Sequence, residues 1–203
     1  GVDGVFTFEG PHDVFLPLAL AAAATDLAVM TNVAIAFPRN AVHMAHTAWD
    51  LHALSGGKFT LGLGTQIRTH VERRFGAEFD RPVARMRDTV EAVRAIFATW
   101  QDGEPLDHRG PFRTHTLMTP VFSPPPGEWA PPPVVVGGLG PKMCAMAAEV
   151  NSGGASPRPV SSKVDSSPDI DRRAASTSGR NTPSARGRSG SRRRKPFFSR
   201  TLS

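Results

Sequence analysis

Two glycine-rich turns carry the first hint of chemistry in this chain. Each closes an apolar, strand-like run. The first is Lys58-Phe59-Thr60-Leu61-Gly62-Leu63-Gly64-Thr65-Gln66, and the second is Val134-Val135-Val136-Gly137-Gly138-Leu139-Gly140-Pro141-Lys142. Glycines ending a strand let backbone N–H groups approach an anion without an intervening Cβ. In the second turn Pro141 is placed to open a helix, whose N-terminus favours a phosphate, and Lys142 adds a cation. Two such turns suggest a phosphorylated cofactor lying across strand C-termini, held by Gly62, Gly64, Thr65 and Gln66 on one side and by Gly137, Gly138, Gly140, Pro141 and Lys142 on the other. The plainer reading of each is a tight strand-to-helix turn or a helix start without a ligand.

Glu9 and His12 follow another apolar run, Val5-Phe6-Thr7-Phe8. Parallel α/β enzymes keep acid–base groups at that rim, and a histidine titrates near neutrality. The alternatives are a turn-capping Glu9 and a surface His12. His43 and His46, three apart, have the spacing of a helical metal pair but no third ligand nearby, so they read as a packed or surface face and no metal is expected. Cys144 has no paired motif and reads as a small buried residue.

The elements that must position these groups follow from patterning. Asp13 is placed to cap an apolar helix from about Val14 to Ala24, with Pro17 tolerable in its first turn. Leu27–Phe37 is an apolar, β-branched run that reads as one buried strand ended by Pro38. Asn40 caps a helix from Ala41 to about Leu54, with Val42, Ala45, Trp49 and Ala53 on its apolar face, and Gly56 and Gly57 stop it. Phe59–Leu63 is a strand and residues 66–81 read as a polar loop. Pro82 to about Gln101 is a strong helix, since Val83, Met86, Val90, Val93, Phe97 and Trp100 recur in steps of three and four. A Pro-rich stretch holds a short hairpin near His108–Arg113. Val134–Val136 is a strand and Pro141–Val150 a helix. Strands alternating with helices predict a parallel α/β sheet covered on both faces: a partial (β/α)8-type TIM barrel of about four βα units, with a doubly wound sheet as the alternative.

Composition divides the chain. Residues 1–150 carry 12 Lys and Arg against 15 Asp and Glu, a net −3, and read as one partial barrel domain; residues 151–203 carry 12 against 3, a net +9. Only 6 of those last 53 residues are Leu, Ile, Val or Phe, which predicts a disordered basic tail. A single cysteine excludes an internal disulfide framework, and no secretory pattern or membrane-length apolar run occurs, so the expectation is a cytoplasmic protein with no membrane contact. The start at Gly1 without Met suggests that an N-terminal element is missing.

The chain resembles the luciferase-like monooxygenase superfamily, and within it the coenzyme F-420-dependent oxidoreductases. The resemblance rests on Asp3–Glu9, Leu18–Thr25, Asn32–Asn40 and, most specifically, Ala48-Trp49-Asp50-Leu51-His52-Ala53-Leu54-Ser55-Gly56-Gly57-Lys58-Phe59-Thr60-Leu61-Gly62-Leu63-Gly64, where Lys58 replaces the usual Arg. Phe75-Gly76 and the Arg85–Trp100 helix add to it. It implies a TIM-type barrel with coenzyme F-420, or alternatively FMN, at the strand C-termini, and hydride transfer to or from a small organic substrate. It further implies a non-proline cis peptide at Asn32-Val33 against the cofactor ring; the bland reading there is an ordinary strand with one Asn. The Glu9–His12 spacing departs from the Asp-His pair of some relatives.

The resemblance is expected to stop near Val150, where relatives continue through further βα units. A shifted reading frame or chimeric gene would give such a Ser/Arg/Pro-rich segment; the rival is a basic tail binding nucleic acid non-specifically. The expectation is therefore an impaired enzyme that aggregates or forms homo-oligomers through an open sheet, or a non-catalytic fragment that serves only as an interaction piece.

Overall fold

The structure, a computed structural model, describes residues 1–153. The expectations of a disordered basic tail, of a nucleic-acid contact through it and of a shifted frame fall almost wholly on residues outside that range. The elements run β1 (Gly4–Thr7), α1 (Leu16–Ala24), β2 (Ala28–Thr31), β3 (Ala34–Ile35), α2 (Ala41–Leu54), β4 (Phe59–Gly64), α3 (Arg68–Arg73), α4 (Pro82–Asp102), β5 (His108–Arg109), β6 (Thr114–His115), β7 (Val134–Val136) and α5 (Pro141–Gly153). The last helix, opened by Pro141 as expected, runs to Gly153.

All pairings in the main sheet are parallel. β1 pairs with β2, β2 with the start of β4, β3 with its end, and β7 lies along the other side of β4. Strands that follow one another in the chain, β2 and β3 together counting as one, are therefore neighbours in space, and the order never reverses. That is the winding of a barrel; a doubly wound sheet changes direction at a switch point. The described residues form four βα units of a TIM-type barrel.

Local chemistry explains most boundaries. Asp13 Oδ1 accepts the N–H groups of Phe15 and Leu16 at 2.8 and 2.9 Å, and Pro17 sits in the first turn of α1. Asn40 Oδ1 accepts from Val42 N at 2.8 Å, capping α2 as expected. Gly56 and Gly57 then take φ of 63° and 79°, left-handed values that end the helix. Gly103 does the same for α4 at φ 73°.

Alternation along the strands places Val29, Phe59, Leu61, Leu63 and Val134 on one face, all buried against the helices. α4 presents Met86, Val90, Val93, Phe97 and Trp100 to that core, as its periodicity predicts, with Val83 at the margin. Trp49 meets Trp100 edge to face at 5.5 Å.

Four expectations are corrected. Leu27–Phe37 is not one strand: it breaks at residues 32–33 into β2 and β3. The polar loop 66–81 contains α3, anchored by buried Val71. The buried face of α2 is Ala41, Met44, Ala45, Ala48, Trp49, Leu51 and His52; Val42 is only half-buried and Ala53 is exposed. Cys144 is exposed, because Met146, Ala147 and Val150 form the inward side of α5.

Candidate functional site

The break between β2 and β3 is built by three contacts. The Asn32-Val33 peptide is cis, as the family resemblance implies. Thr31 turns its hydroxyl across to β4, donating to Gly62 O at 2.7 Å and accepting from Gly62 N at 2.9 Å. One side chain thus stands in for the ladder where the strand leaves it. Asn32 N bonds back to Thr7 O at 2.6 Å, holding the bulge to β1.

Glycines 62 and 64 make room for this bulge. A Cβ on Gly62 would lie 1.9 Å from Thr31 O, and one on Gly64 would lie 2.4 Å from Val33 Cγ2. A Cβ on Gly137 would meet Val33 Cγ1 at 3.4 Å. Val33 therefore spans from the end of β4 to the end of β7, and the structure brings Asn32, Val33, Gly62, Gly64 and Gly137 together. The sequence reading had Gly62 and Gly64 clear a path for an anion; both are buried, Gly62 against the backbone of Thr31 and Gly64 against the side chain of Val33. A Gly64→Val change would consequently disturb the fold.

Glu9 leaves the end of β1 and reaches the far side of the bulge. Its carboxylate accepts from Ile35 N at 2.8 Å and from Arg39 Nη1 and Nη2 at 2.6 and 3.0 Å. Arg39 Nη1 also donates to Ile35 O at 2.7 Å. Both backbone polar groups of Ile35 are thereby bound by this ion pair. The arrangement makes Glu9 a brace, with its oxygens committed. His12 lies on the exposed loop before α1 and touches none of the other candidates. Thr65 and Gln66 follow β4; Gln66 has φ of 60° and its Oε1 accepts the Ile67 N–H at 3.0 Å.

The turn after β7 is different in kind. Gly137 N donates to Leu63 O at 2.8 Å, and Cys144 N to Gly140 O at 2.9 Å. The N–H groups of Gly138, Leu139 and Gly140 meet no protein acceptor among the described residues. A Cβ on Gly140 would meet nothing within 4 Å, so this glycine faces open space. On Gly138 it would press Met143 Cγ at 3.1 Å and Cys144 N at 3.2 Å, so that glycine serves the approach of the turn to α5. Lys142 is exposed and makes no ion pair among the described residues.

Thr31 and Arg39 are the participants that sequence reasoning missed. Arg39 follows Phe37-Pro38, and a lone cation after an apolar run was the available signal. Thr31 had none, since its partner is 31 residues away. His46 is used structurally, with Nδ1 3.1 Å from Val42 O and Nε2 3.2 Å from Phe122 O. No group of three metal-ligating side chains exists among the described residues, and no described helix is long and apolar enough to cross a membrane.

A cavity of about 350 Å3 lies between Trp49, His52 and Trp129. His52 Nδ1 is 3.1 Å from Phe59 O, at the start of β4, so this cavity is at the opposite end of the sheet from the bulge. Burial pushes the His52 pKa down, against backbone contacts that raise it. The β5–β6 hairpin is pinned to α4 by buried Asp88, which lies 3.1 Å from His108 Nε2 and 3.3 Å from Arg113 Nη1. Burial lowers the Arg113 pKa, with Asp88 opposing it.

Comparison with known proteins agrees with a parallel sheet wound as a barrel. A family model described as luciferase-like monooxygenase matches residues 1–186. The chain belongs to the luciferase-like monooxygenase family. That match continues beyond Val150, where the resemblance was expected to end.

Within this family the chain is 47% identical over 154 residues to the uncharacterized protein Rv1360 of Mycobacterium tuberculosis, covering 75% of this chain and 45% of that one. It is 32% identical over 166 residues to Rv3520c of the same organism, provisionally named a coenzyme F-420-dependent oxidoreductase, covering 75% and 46%. The coenzyme F-420-dependent tetrahydromethanopterin reductase of Methanopyrus kandleri shares the fold, with a TM-score of 0.59 at 16% identity over 73% of this chain and 46% of that one. The chain thus spans less than half the length of these three relatives.

Proposed function

We propose that this chain carries part of the cofactor site of a deazaflavin-dependent oxidoreductase, with coenzyme F-420 as the cofactor, FMN as the alternative, and a small organic molecule as substrate. The observation that carries the reading is the turn after β7. Three consecutive backbone N–H groups, Gly138 to Gly140, have no protein acceptor among the described residues, and the unpaired Lys142 stands in the first turn of α5. An anion is what such a group of donors accepts, at a helix N-terminus whose dipole adds to the attraction.

The residues fit a phosphorylated cofactor. Gly140 leaves open space above the turn, and Lys142 supplies a cation at its edge. The Asn32-Val33 bulge stands beside it, close enough that a Cβ on Gly137 would meet Val33, and offers an apolar side chain with an exposed amide. The bound cofactor would supply hydride transfer. The chain's own part is to position. Glu9 and Arg39 hold the bulge by both polar groups of Ile35, and Thr31 fixes it to β4. His12, exposed on the loop before α1, is the residue we assign to the acid–base role toward a substrate.

Titration of the 203-residue protein with coenzyme F-420 and with FMN, followed by fluorescence, tests the reading. Gly140→Val is expected to weaken binding at least tenfold without changing the circular dichroism spectrum, because its side chain enters only open space. Unchanged affinity for both cofactors, or no binding of either by the parent chain, would overturn the assignment.

A further inference from the structure

We propose that the cavity between the C-terminal part of α2 and residues 125–130 is a binding site for a small organic cation of the quaternary ammonium type. The cavity, about 350 Å3, is walled by Trp49, His52, Pro125, Pro126, Glu128 and Trp129. Small-molecule sites have this size. Two of the three tryptophans of the chain line it. Glu128 is the one acidic side chain in its lining, no Lys or Arg joins it, and it makes no ion pair among the described residues. An indole attracts a cation through its π face, and a carboxylate adds a full opposite charge. Burial keeps the His52 pKa below the ordinary 6.5, so that ring brings no positive charge at neutral pH. α2 ends at Leu54, beside the cavity, and the negative end of its dipole lies there. Each of these charges favours a cation, and an anion would be repelled.

The walls are fixed before a ligand arrives. Three successive prolines, Pro124 to Pro126, have no N–H to give a helix or a ladder. Gly127 is tied to α4 by two hydrogen bonds: Gln101 Nε2 donates to Gly127 O at 3.3 Å, and Gly127 N donates to Gln101 Oε1 at 3.1 Å. His52 Nε2 lies 3.0 Å from Ala130 O. Trp129 stands between these two anchors. A Cβ on Gly57 would come within 2.6–2.9 Å of three carbons of its five-membered ring, so bare backbone seats one face of the indole. The side chain is still 40% exposed. Walls already ordered spare a ligand the cost of ordering them. His52 also reaches Phe59 O at the start of β4, the strand with β2 on one side and β7 on the other. The site is thus set against the middle of the sheet, away from its outer strands.

The inference rests on this cavity and not on the cofactor, so its test needs none. The probes are choline and neohexanol, the neutral isostere with carbon in place of the charged nitrogen. The tryptophan fluorescence of the 203-residue chain is expected to change saturably with choline, which binds about tenfold or more tightly than neohexanol. Glu128→Gln, at an exposed position, keeps every indole and should remove that preference by weakening choline alone. Trp129→Ala should weaken both probes, followed by saturation-transfer NMR of the probe methyl protons because the variant loses a fluorescent reporter. If that variant fails to fold, Glu128→Gln still decides. Equal affinity for choline and neohexanol would overturn the inference. So would no binding of choline by the parent chain, or a Glu128→Gln chain that binds choline as the parent does.

Discussion

The carboxylate of Glu9 and the guanidinium of Arg39 meet side by side, Oε2 to Nη1 at 2.6 Å and Oε1 to Nη2 at 3.0 Å, across 30 residues of chain. The glutamate is 8% exposed and the arginine 22%. Between them they bind the N–H and C=O of Ile35, which lies just beyond the bulge.

Breaking this pair leaves an arginine short of its partner and an N–H without an acceptor. Glu9→Ala is expected to cost about 2–4 kcal/mol, given two charge-assisted bonds in a largely buried place. Urea denaturation measures it. A double-mutant cycle with Arg39→Ala should show coupling above about 1 kcal/mol. Additive losses would mean that the two side chains act independently.

Thr31 is expected to be as sensitive. Thr31→Val keeps the shape but removes the hydroxyl, leaving both backbone polar groups of Gly62 without it in a buried site. The cost should be about 2–3 kcal/mol, and Thr31→Ser should recover most of it. Equal denaturation midpoints for the valine variant and the parent would deny the bridge its role.

The glycines should separate by position. Gly62→Ala must push a methyl group to 1.9 Å from Thr31 O, and Gly64→Ala must displace Val33. Both are expected to lower stability severely, by at least about 3 kcal/mol, or to abolish soluble expression. Gly140→Ala, with nothing within 4 Å, should stay within about 1 kcal/mol of the parent. Thermal melts of the three variants decide this. Tolerance at position 62 would contradict the close approach.

Stability should fall as the solution is acidified below neutrality. Burial lowers the pKa of His52 and of His115 below the ordinary 6.5. The unfolded chain therefore binds these protons before the folded chain does. The stability that each neutral ring contributes is fully present above about pH 6.5 and is lost as pH falls through the depressed folded value. Urea midpoints measured between about pH 5 and 8 should drop toward the acid end. Replacing His115, whose Nε2 is buried without a partner among the described residues, with Gln should flatten part of that slope. A midpoint that rises on acidification would reverse the assigned sign.

Local chemistry in the sequence determined the order of the elements. The Asp13 and Asn40 caps, the glycine stops at 56–57 and 103, and the three-and-four stripe of α4 all act between residues a few positions apart. The alternation of apolar strands with helices likewise required a parallel sheet, and the run Ala48–Gly64 carried the family. Contacts across the fold decided the rest. Leu27–Phe37 reads as one strand until Thr31 reaches Gly62, and Gly62 reads as a ligand turn until that backbone lies against it. Glu9 reads as an acid–base group until Arg39 arrives from the next βα unit. Cys144 reads as buried until α5 docks by its other side. Each depends on a neighbour distant in sequence, and no local pattern encodes such a pairing. Whether a glycine makes room for a ligand or for the protein's own chain is settled only when the second strand is in place.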